Sequence, residues 1–118
     1  MVARLKKQET SGRDLYSGLI RLHVLHHASE QPIYGTWIME ELNHHGYALS
    51  AGTLYPLLHG LERKGYLRSR VEREGKQSRR VYLITAEGRK VFGDAKEKVR
   101  ELFGELFEEK SHRKPGRS

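Results

Sequence analysis

The segment 50–63 separates leucines from small, hydroxyl-bearing and basic residues in a helical period. At about 100° per residue, Leu54, Leu57, Leu58 and Leu61 fall within one narrow sector. The residues outside that sector are Ser50, Gly52, Thr53, Tyr55, Pro56, His59 and Arg63. Hydroxyl groups and the unpaired N–H groups of a first helical turn suit phosphate oxygens, and Gly52 removes bulk so that a backbone can approach closely. The pattern predicts a helix with a buried leucine side and a nucleic-acid-binding side.

A cluster of cations follows this helix. Lys76, Arg79 and Arg80 lie in a charged, glycine-containing stretch between two apolar runs, 66–71 and 81–84, which predict two strands joined by a basic tip. Such cations hold a polyphosphate without a fixed geometry. A solvated charge run is the alternative, but the position beside the third helix favours DNA.

Histidines are the other residues that could do chemistry. The chain has seven; His23, His26 and His27 share a helical spacing, and His44 and His45 are adjacent. No acidic residue joins them at a recognised ligand spacing, so we expect packed or surface histidines, no metal and no cofactor. Neither a nucleophile with its base nor a Gly-rich phosphate loop is present, so we expect no enzyme.

The charge of the chain narrows its partners. Its 118 residues include 22 Lys and Arg against 15 Asp and Glu, for a net charge of +7, which indicates a partner that is a nucleic acid or an anionic membrane surface. The absence of cysteine excludes disulfides and thiolate metal sites. Because no stretch is long and apolar enough for a span or a signal peptide, we expect a cytoplasmic protein that does not enter the membrane.

Four helices and the two strands must position these residues. A broad apolar stripe predicts a first helix over about 13–28, and Pro32 precedes a second over about 34–45 whose inner face includes Tyr34. Gly46 suits a left-handed position after that helix. The predicted fold is α+β and mostly helical: a winged helix-turn-helix with a two-stranded wing and a long C-terminal dimerisation helix.

The predicted boundaries divide the chain into a basic N-terminal tail (1–11), a winged-helix domain (12–84), a helix capped by Thr85 (85–109) and a basic tail (110–118). Two starts remain open for the third helix. With Ser50 as N-cap, Pro56 falls in the second turn, where proline costs about 3 kcal/mol; with Thr53 as N-cap, it falls in the tolerant first turn.

The C-terminal helix carries a heptad-like apolar seam. We expect a second copy of the chain to cover this seam together with part of the first helix, because a small domain does not need so many apolar positions. The predicted dimerisation residues are Leu15, Leu19, Phe92, Ala95, Val99, Leu102, Phe103 and Leu106.

Three segments resemble the PadR family of transcriptional regulators. The run 50–67, SAGTLYPLLHGLERKGYL, is similar to the family signature, 79–89 resembles its wing strand and next helix start, and 32–35 resembles the start of its second helix. The resemblance covers about Arg13 to Phe107. It implies a dimer that binds palindromic operators, usually as a repressor. The two copies would associate through their first and last helices. The resemblance is to a compact subgroup of the family, in which any effector pocket would lie near the dimer interface.

Some interpretations remain open at this point. The fold does not exclude a protein-interaction module that binds no DNA. Tyr55 either contacts phosphate or packs, and Trp37 either lines a pocket for a small aromatic effector or packs.

Overall fold

The computed structural model describes the backbone of residues 2–108 and the side chains of residues 15–108. In chain order the elements are α1 (Val2–Glu30), β1 (Ile33–Tyr34), α2 (Gly35–His44), α3 (Ala51–Arg63), β2 (Leu67–Glu74), β3 (Gln77–Ile84) and α4 (Ala86–Phe107). Four helices with a small antiparallel sheet confirm the predicted α+β winged helix-turn-helix.

The core lies where α1, α2 and α3 meet the inner end of the sheet. Leu54, Leu57, Leu58 and Leu61 are all buried, as their period predicts. Their partners in the core include Val24 of α1, Ile38 and Leu42 of α2, and Tyr82 of β3. Burying a leucine stabilises a fold by about 1.5–3 kcal/mol, so the apolar side of α3 fixes this helix to the domain and leaves its other side free.

The sheet has a third strand that the sequence did not predict. Its order is β1-β3-β2, and Tyr34 of β1 pairs with Val81 of β3. The assignment of Tyr34 to the inner face of the second helix was therefore wrong, because its backbone is extended (φ −99°, ψ 148°) and α2 begins at Gly35. A strand of two residues has no periodicity that a sequence can display.

The hairpin is longer than its composition indicated. The stretch 72–80, predicted as a charged tip, is mostly strand, and the turn consists of Gly75 and Lys76 between the paired residues Glu74 and Gln77. Gly75 has a φ of +64°, and a positive φ at the first turn position is typical of a type II′ hairpin. Cross-strand pairing thus continues into a region that contains few apolar residues.

The first helix begins much earlier than predicted. α1 starts at Val2, whereas the sequence predicted a basic tail over 1–11 and a helix only from about residue 13. Residues such as Ala3, Leu5 and Lys6 have high helix propensity. The apolar residues of this segment show no helical period, so the pattern did not predict a helix here.

Thr85 caps the fourth helix as predicted. Its Oγ1 accepts a hydrogen bond from the Gly88 N–H at 2.9 Å and donates one to the Gly65 carbonyl at 2.5 Å, which ties the start of α4 to the end of α3. The predicted tail 110–118 lies outside the described residues. Within residues 2–108, no helix is long and apolar enough to cross a membrane.

Candidate nucleic-acid interface

The turn between α2 and α3 is held by its own hydrogen bonds. Gly46 has a φ of +94° and Ala48 a φ of +50°, a region that residues other than glycine rarely adopt. The side-chain oxygen Oδ1 of Asn43 accepts a hydrogen bond from the Leu49 N–H at 2.6 Å. This bond ties the residue after Ala48 to Asn43 of α2 and so restrains the turn between the two helices.

The first turn of α3 places Ser50 at the N-cap, which decides between the two predicted starts. The Ser50 carbonyl accepts the Leu54 N–H at 2.9 Å, whereas the Ser50 hydroxyl makes no capping bond. Pro56 therefore lies in the second turn, where it cannot donate to the carbonyl of Gly52. Both Gly52 and Pro56 are exposed, so this departure from helix rules occurs on the outer side of α3.

The predicted contact residues of α3 are accessible to different degrees. Five of them are exposed within the described chain, whereas Thr53 and Tyr55 are partly buried. The exposed ones are Ser50, Gly52, Pro56, His59 and Arg63. The outer side of α3 is therefore open along its whole length.

Tyr55 packs against the start of α2. A Cβ atom on Gly35 would lie 2.6 Å from Cε1 of Tyr55, so the tyrosine ring occupies the space that any side chain at position 35 would need. Tyr55 also contacts the buried core. The packing interpretation of Tyr55 thus has direct support, and α2 has a glycine at the point of contact even though glycine disfavours helices by about 1 kcal/mol.

The wing is joined to α3 through Ser69, which also binds Arg80. The Nη1 of Arg80 donates a hydrogen bond to Ser69 Oγ at 3.0 Å, and the Ser69 hydroxyl donates to Glu62 of α3 at 2.6 Å. Side chains alternate between the two faces of a strand. Arg80, which pairs with Val71, therefore lies on the face of the wing that adjoins α3.

Arg79 lies on the opposite face of the wing. Its guanidinium sits 4.1 Å from the centre of the Tyr34 ring and its Nη2 lies 3.6 Å from a carboxylate oxygen of Glu74. The Tyr34 hydroxyl donates a hydrogen bond to Glu72 at 2.7 Å, and this bond, with another from Arg70, lowers the pKa of Glu72. The two arginines that the sequence grouped together thus have different surroundings, and the sequence did not identify Tyr34 as the partner of Arg79.

Lys76 is the outermost cation of the wing. It occupies the two-residue turn and is exposed. Arg79 is paired with Glu74 and Arg70 with Glu72, but no ion pair within residues 15–108 involves Lys76. We name the exposed side of α3 together with Arg80 and Lys76 the α3–wing surface.

A second surface is apolar. On α4, Val99, Leu102, Phe103 and Leu106 are between 44% and 57% exposed, and on α1 Leu15 is 71% and Leu19 47% exposed. The remaining predicted dimerisation residues, Phe92 and Ala95, are partly buried. Near Phe92 the helix is still attached to the domain, since Arg89 donates a hydrogen bond to the Ser29 carbonyl at 3.3 Å. We name the exposed apolar residues of these two helices the α1–α4 surface.

Trp37 borders an open groove of about 420 Å³ between α2 and the wing. The groove also includes Tyr34 and Arg79. On its other side, the indole contacts the imidazole of His27 edge-on, with ring centres 5.3 Å apart. Trp37 is thus both a packing residue and a lining residue.

The histidines of α1 and α2 come closer together than their positions in sequence suggest. His23, His27 and His45 can each offer a nitrogen within 4.8 Å of the others, and a more exposed group combines His26 and His27 with Glu30. Sequence spacing alone could not predict that His45 would join the first group, because it follows a different helix.

A helix-turn-helix whose second helix has an open outer side, followed by a basic antiparallel hairpin, defines the class of winged-helix proteins. Within this class, the chain belongs to the PadR-like family of transcriptional regulators, whose profile matches residues 24–94. The protein is accordingly a transcriptional regulator that acts through DNA, and not an enzyme.

Known relatives agree with this assignment. The chain is 40% identical over 100 residues to the transcriptional regulator Rv3488 of Mycobacterium tuberculosis, covering 85% of this chain and 94% of that one. It is 28% identical to a PadR family regulator from Eggerthella lenta, with a TM-score of 0.71 over 90% of this chain and 94% of the other. A regulator from Clostridium thermocellum is 29% identical, with a TM-score of 0.66 over 79% and 93%.

Proposed function

We propose that two copies of the chain form a homodimer in the cytoplasm, bind a palindromic operator and repress transcription from it. The observation that carries this proposal is the presence of two exposed surfaces of opposite character on one chain. The α3–wing surface suits DNA, and the α1–α4 surface suits a second copy. A two-fold dimer matches half-sites one helical turn apart, about 34 Å.

The residues have distinct proposed roles. The start of α3, with Ser50, Gly52 and Thr53, approaches the edge of the major groove, where small groups and free N–H groups meet phosphates and bases. His59 and Arg63 follow along the same side. Arg80 and Lys76 bind the neighbouring backbone, and Arg79 supports the wing from its other face through Tyr34.

The DNA upstream of the chain's own gene provides the test. Footprinting on that DNA should show a two-fold protected site. Light scattering should show a dimer in free solution, and a reporter promoter containing the site should be less active when the chain is present. If no fragment shifts even at low salt, the alternative holds, in which the winged helix binds a protein and not DNA.

A small aromatic effector is a further part of the proposal. Trp37 is the only tryptophan and borders the open groove beside Tyr34, so a planar aromatic molecule can stack on the indole. Titration with planar aromatic compounds should quench the indole fluorescence and change operator affinity. If quenching occurs in Trp37→Phe as well, it comes from tyrosine and does not support a site at Trp37.

A further inference from the structure

Three histidines from two helices meet on the side of the domain formed by α1 and the end of α2. His23 and His27 are four residues apart on α1 and therefore lie on one face of that helix. His45 directly follows α2. One nitrogen of each imidazole lies within 4.8 Å of the others. The sequence spacing had predicted packed or surface histidines and no metal site.

A carboxylate completes this group. One oxygen of Glu41, Oε2, lies 3.2 Å from Nε2 of His45 and 3.7 Å from Nε2 of His27. Around Zn²⁺ with bonds of about 2.0–2.1 Å, the ligand atoms of a tetrahedron are about 3.3 Å apart. The Glu41 oxygen and the two imidazole nitrogens are thus already near the separation that a shared cation requires.

We propose that His23, His27, His45 and Glu41 bind a first-row divalent transition cation such as Zn²⁺. Three imidazole nitrogens with one carboxylate oxygen are ligands that favour Zn²⁺, Ni²⁺ or Cu²⁺ over Mg²⁺ or Ca²⁺. The side chains of His27 and Glu41 are only 14% and 29% exposed, which limits competition from water.

The protonation of the group agrees with this assignment. Burial, with a contribution from His45, lowers the pKa of His23, and burial also lowers the pKa of His27. Both shifts favour the neutral imidazole, the form in which histidine binds metals. The competing group of His26, His27 and Glu30 is weaker, because His26 and Glu30 are exposed and their nearest atoms are 3.9 Å apart.

A cation at this position would join α1 to the end of α2 and the turn that leads into α3. The Tyr47 N–H donates to the Leu42 carbonyl at 3.1 Å, so the turn begins directly beside His45. The site is separate from the α3–wing surface, and its occupancy can be measured without DNA.

Cobalt provides a direct probe of the site. The full-length chain, without an affinity tag and stripped of metal by a chelator, is titrated with CoCl₂ while the visible absorption of tetrahedral Co²⁺ is recorded. We expect one Co²⁺ per chain and loss of the absorption when ZnSO₄ is added. Since changes to residues outside the ligand shell already weaken metal sites about 10–100-fold, His45→Ala and His23→Ala should each weaken Co²⁺ binding at least about 100-fold.

Neighbouring histidines supply the matched controls. His44→Ala and His26→Ala remove imidazoles next to the site and should keep the Co²⁺ absorption. His45 is exposed, so the metal-free His45→Ala variant should melt as the unchanged chain does. The proposal is overturned if the unchanged chain gives no tetrahedral Co²⁺ spectrum, if His45→Ala binds Co²⁺ as tightly, or if His26→Ala or His44→Ala loses binding to the same extent.

Discussion

The α3–wing surface and the α1–α4 surface are both exposed, but they are built in opposite ways. The first consists of small, hydroxyl-bearing and cationic groups supported by hydrogen bonds, such as the path from Arg80 through Ser69 to Glu62. The second consists of large apolar side chains, including Leu102 and Phe103, that are about half exposed. The polar surface is stable in water, whereas covering the apolar one is favourable by about 25 cal/mol per Å².

This difference implies an order of assembly. The apolar surface should be covered by a second copy before DNA is present, and the polar surface should remain open until it meets phosphates. DNA affinity then depends on both surfaces, because two linked half-sites bind far more tightly than one. Changes at the apolar surface should therefore weaken DNA binding without touching a DNA contact.

The largest expected effect comes from the apolar surface. Leu102→Glu places a charge among residues that a partner copy would desolvate, so we expect a monomer in light scattering and an operator affinity at least about 100-fold lower because two-site linkage is lost. Lys90→Gln, on the same helix and with the same change in net charge, should remain dimeric. A dimeric Leu102→Glu protein would show that this surface is not the interface.

The next effect separates the two faces of the wing. Arg80→Ala should lower operator affinity about tenfold and reduce the slope of log affinity against log salt by about 0.9, the value for one phosphate contact. Arg79→Ala should leave that slope unchanged, because its guanidinium is held by Tyr34 and Glu74. Equal slopes in both variants would mean that the two faces do not differ in their contact with DNA.

A smaller effect tests the packing of α3 against the start of α2, beneath the α3–wing surface. Gly35→Ala would place a Cβ against the Tyr55 ring. Because the ring must move, we expect the free energy of unfolding, measured in urea, to be about 1 kcal/mol lower. Gly93→Ala is the control, since no atom lies within 4 Å of its added Cβ, and it should stabilise α4 by up to about 1 kcal/mol. If Gly35→Ala is also stabilising, Tyr55 is not a packing residue.

The sequence predicted the features that repeat or that need one residue type. The leucine period of α3 and the Thr85 cap were predicted and confirmed, as was the left-handed Gly46. It did not predict β1, which is too short to show a period, or the early start of α1, which depends on propensity and not on apolar spacing. Arg79 and Arg80 lie on opposite faces of the wing because β3 already begins at Gln77. The sequence did not predict this, because the composition of the region is that of a loop. The approach of His45 and Glu41 to α1 depends on tertiary packing alone.

The smallest expected effect concerns the hydrogen bond that supports Arg79's side of the wing. Because the Tyr34 hydroxyl is the largest cause of the lowered pKa of Glu72, Tyr34→Phe should raise that pKa toward its ordinary value of 4.5, with Arg70 retaining part of the shift. A carboxyl whose pKa is lowered by folding stabilises the fold above its unfolded-state pKa, and this contribution is lost as the pH falls through the folded-state value. The acid-induced loss of wing stability should therefore be smaller in Tyr34→Phe. An NMR titration of the Glu72 carboxyl measures this pKa directly. The control is Tyr47→Phe, which removes a hydroxyl from the α2–α3 turn and should leave the pKa of Glu72 unchanged. If the pKa of Glu72 is the same in Tyr34→Phe as in the unchanged chain, Arg70 alone stabilises this carboxylate.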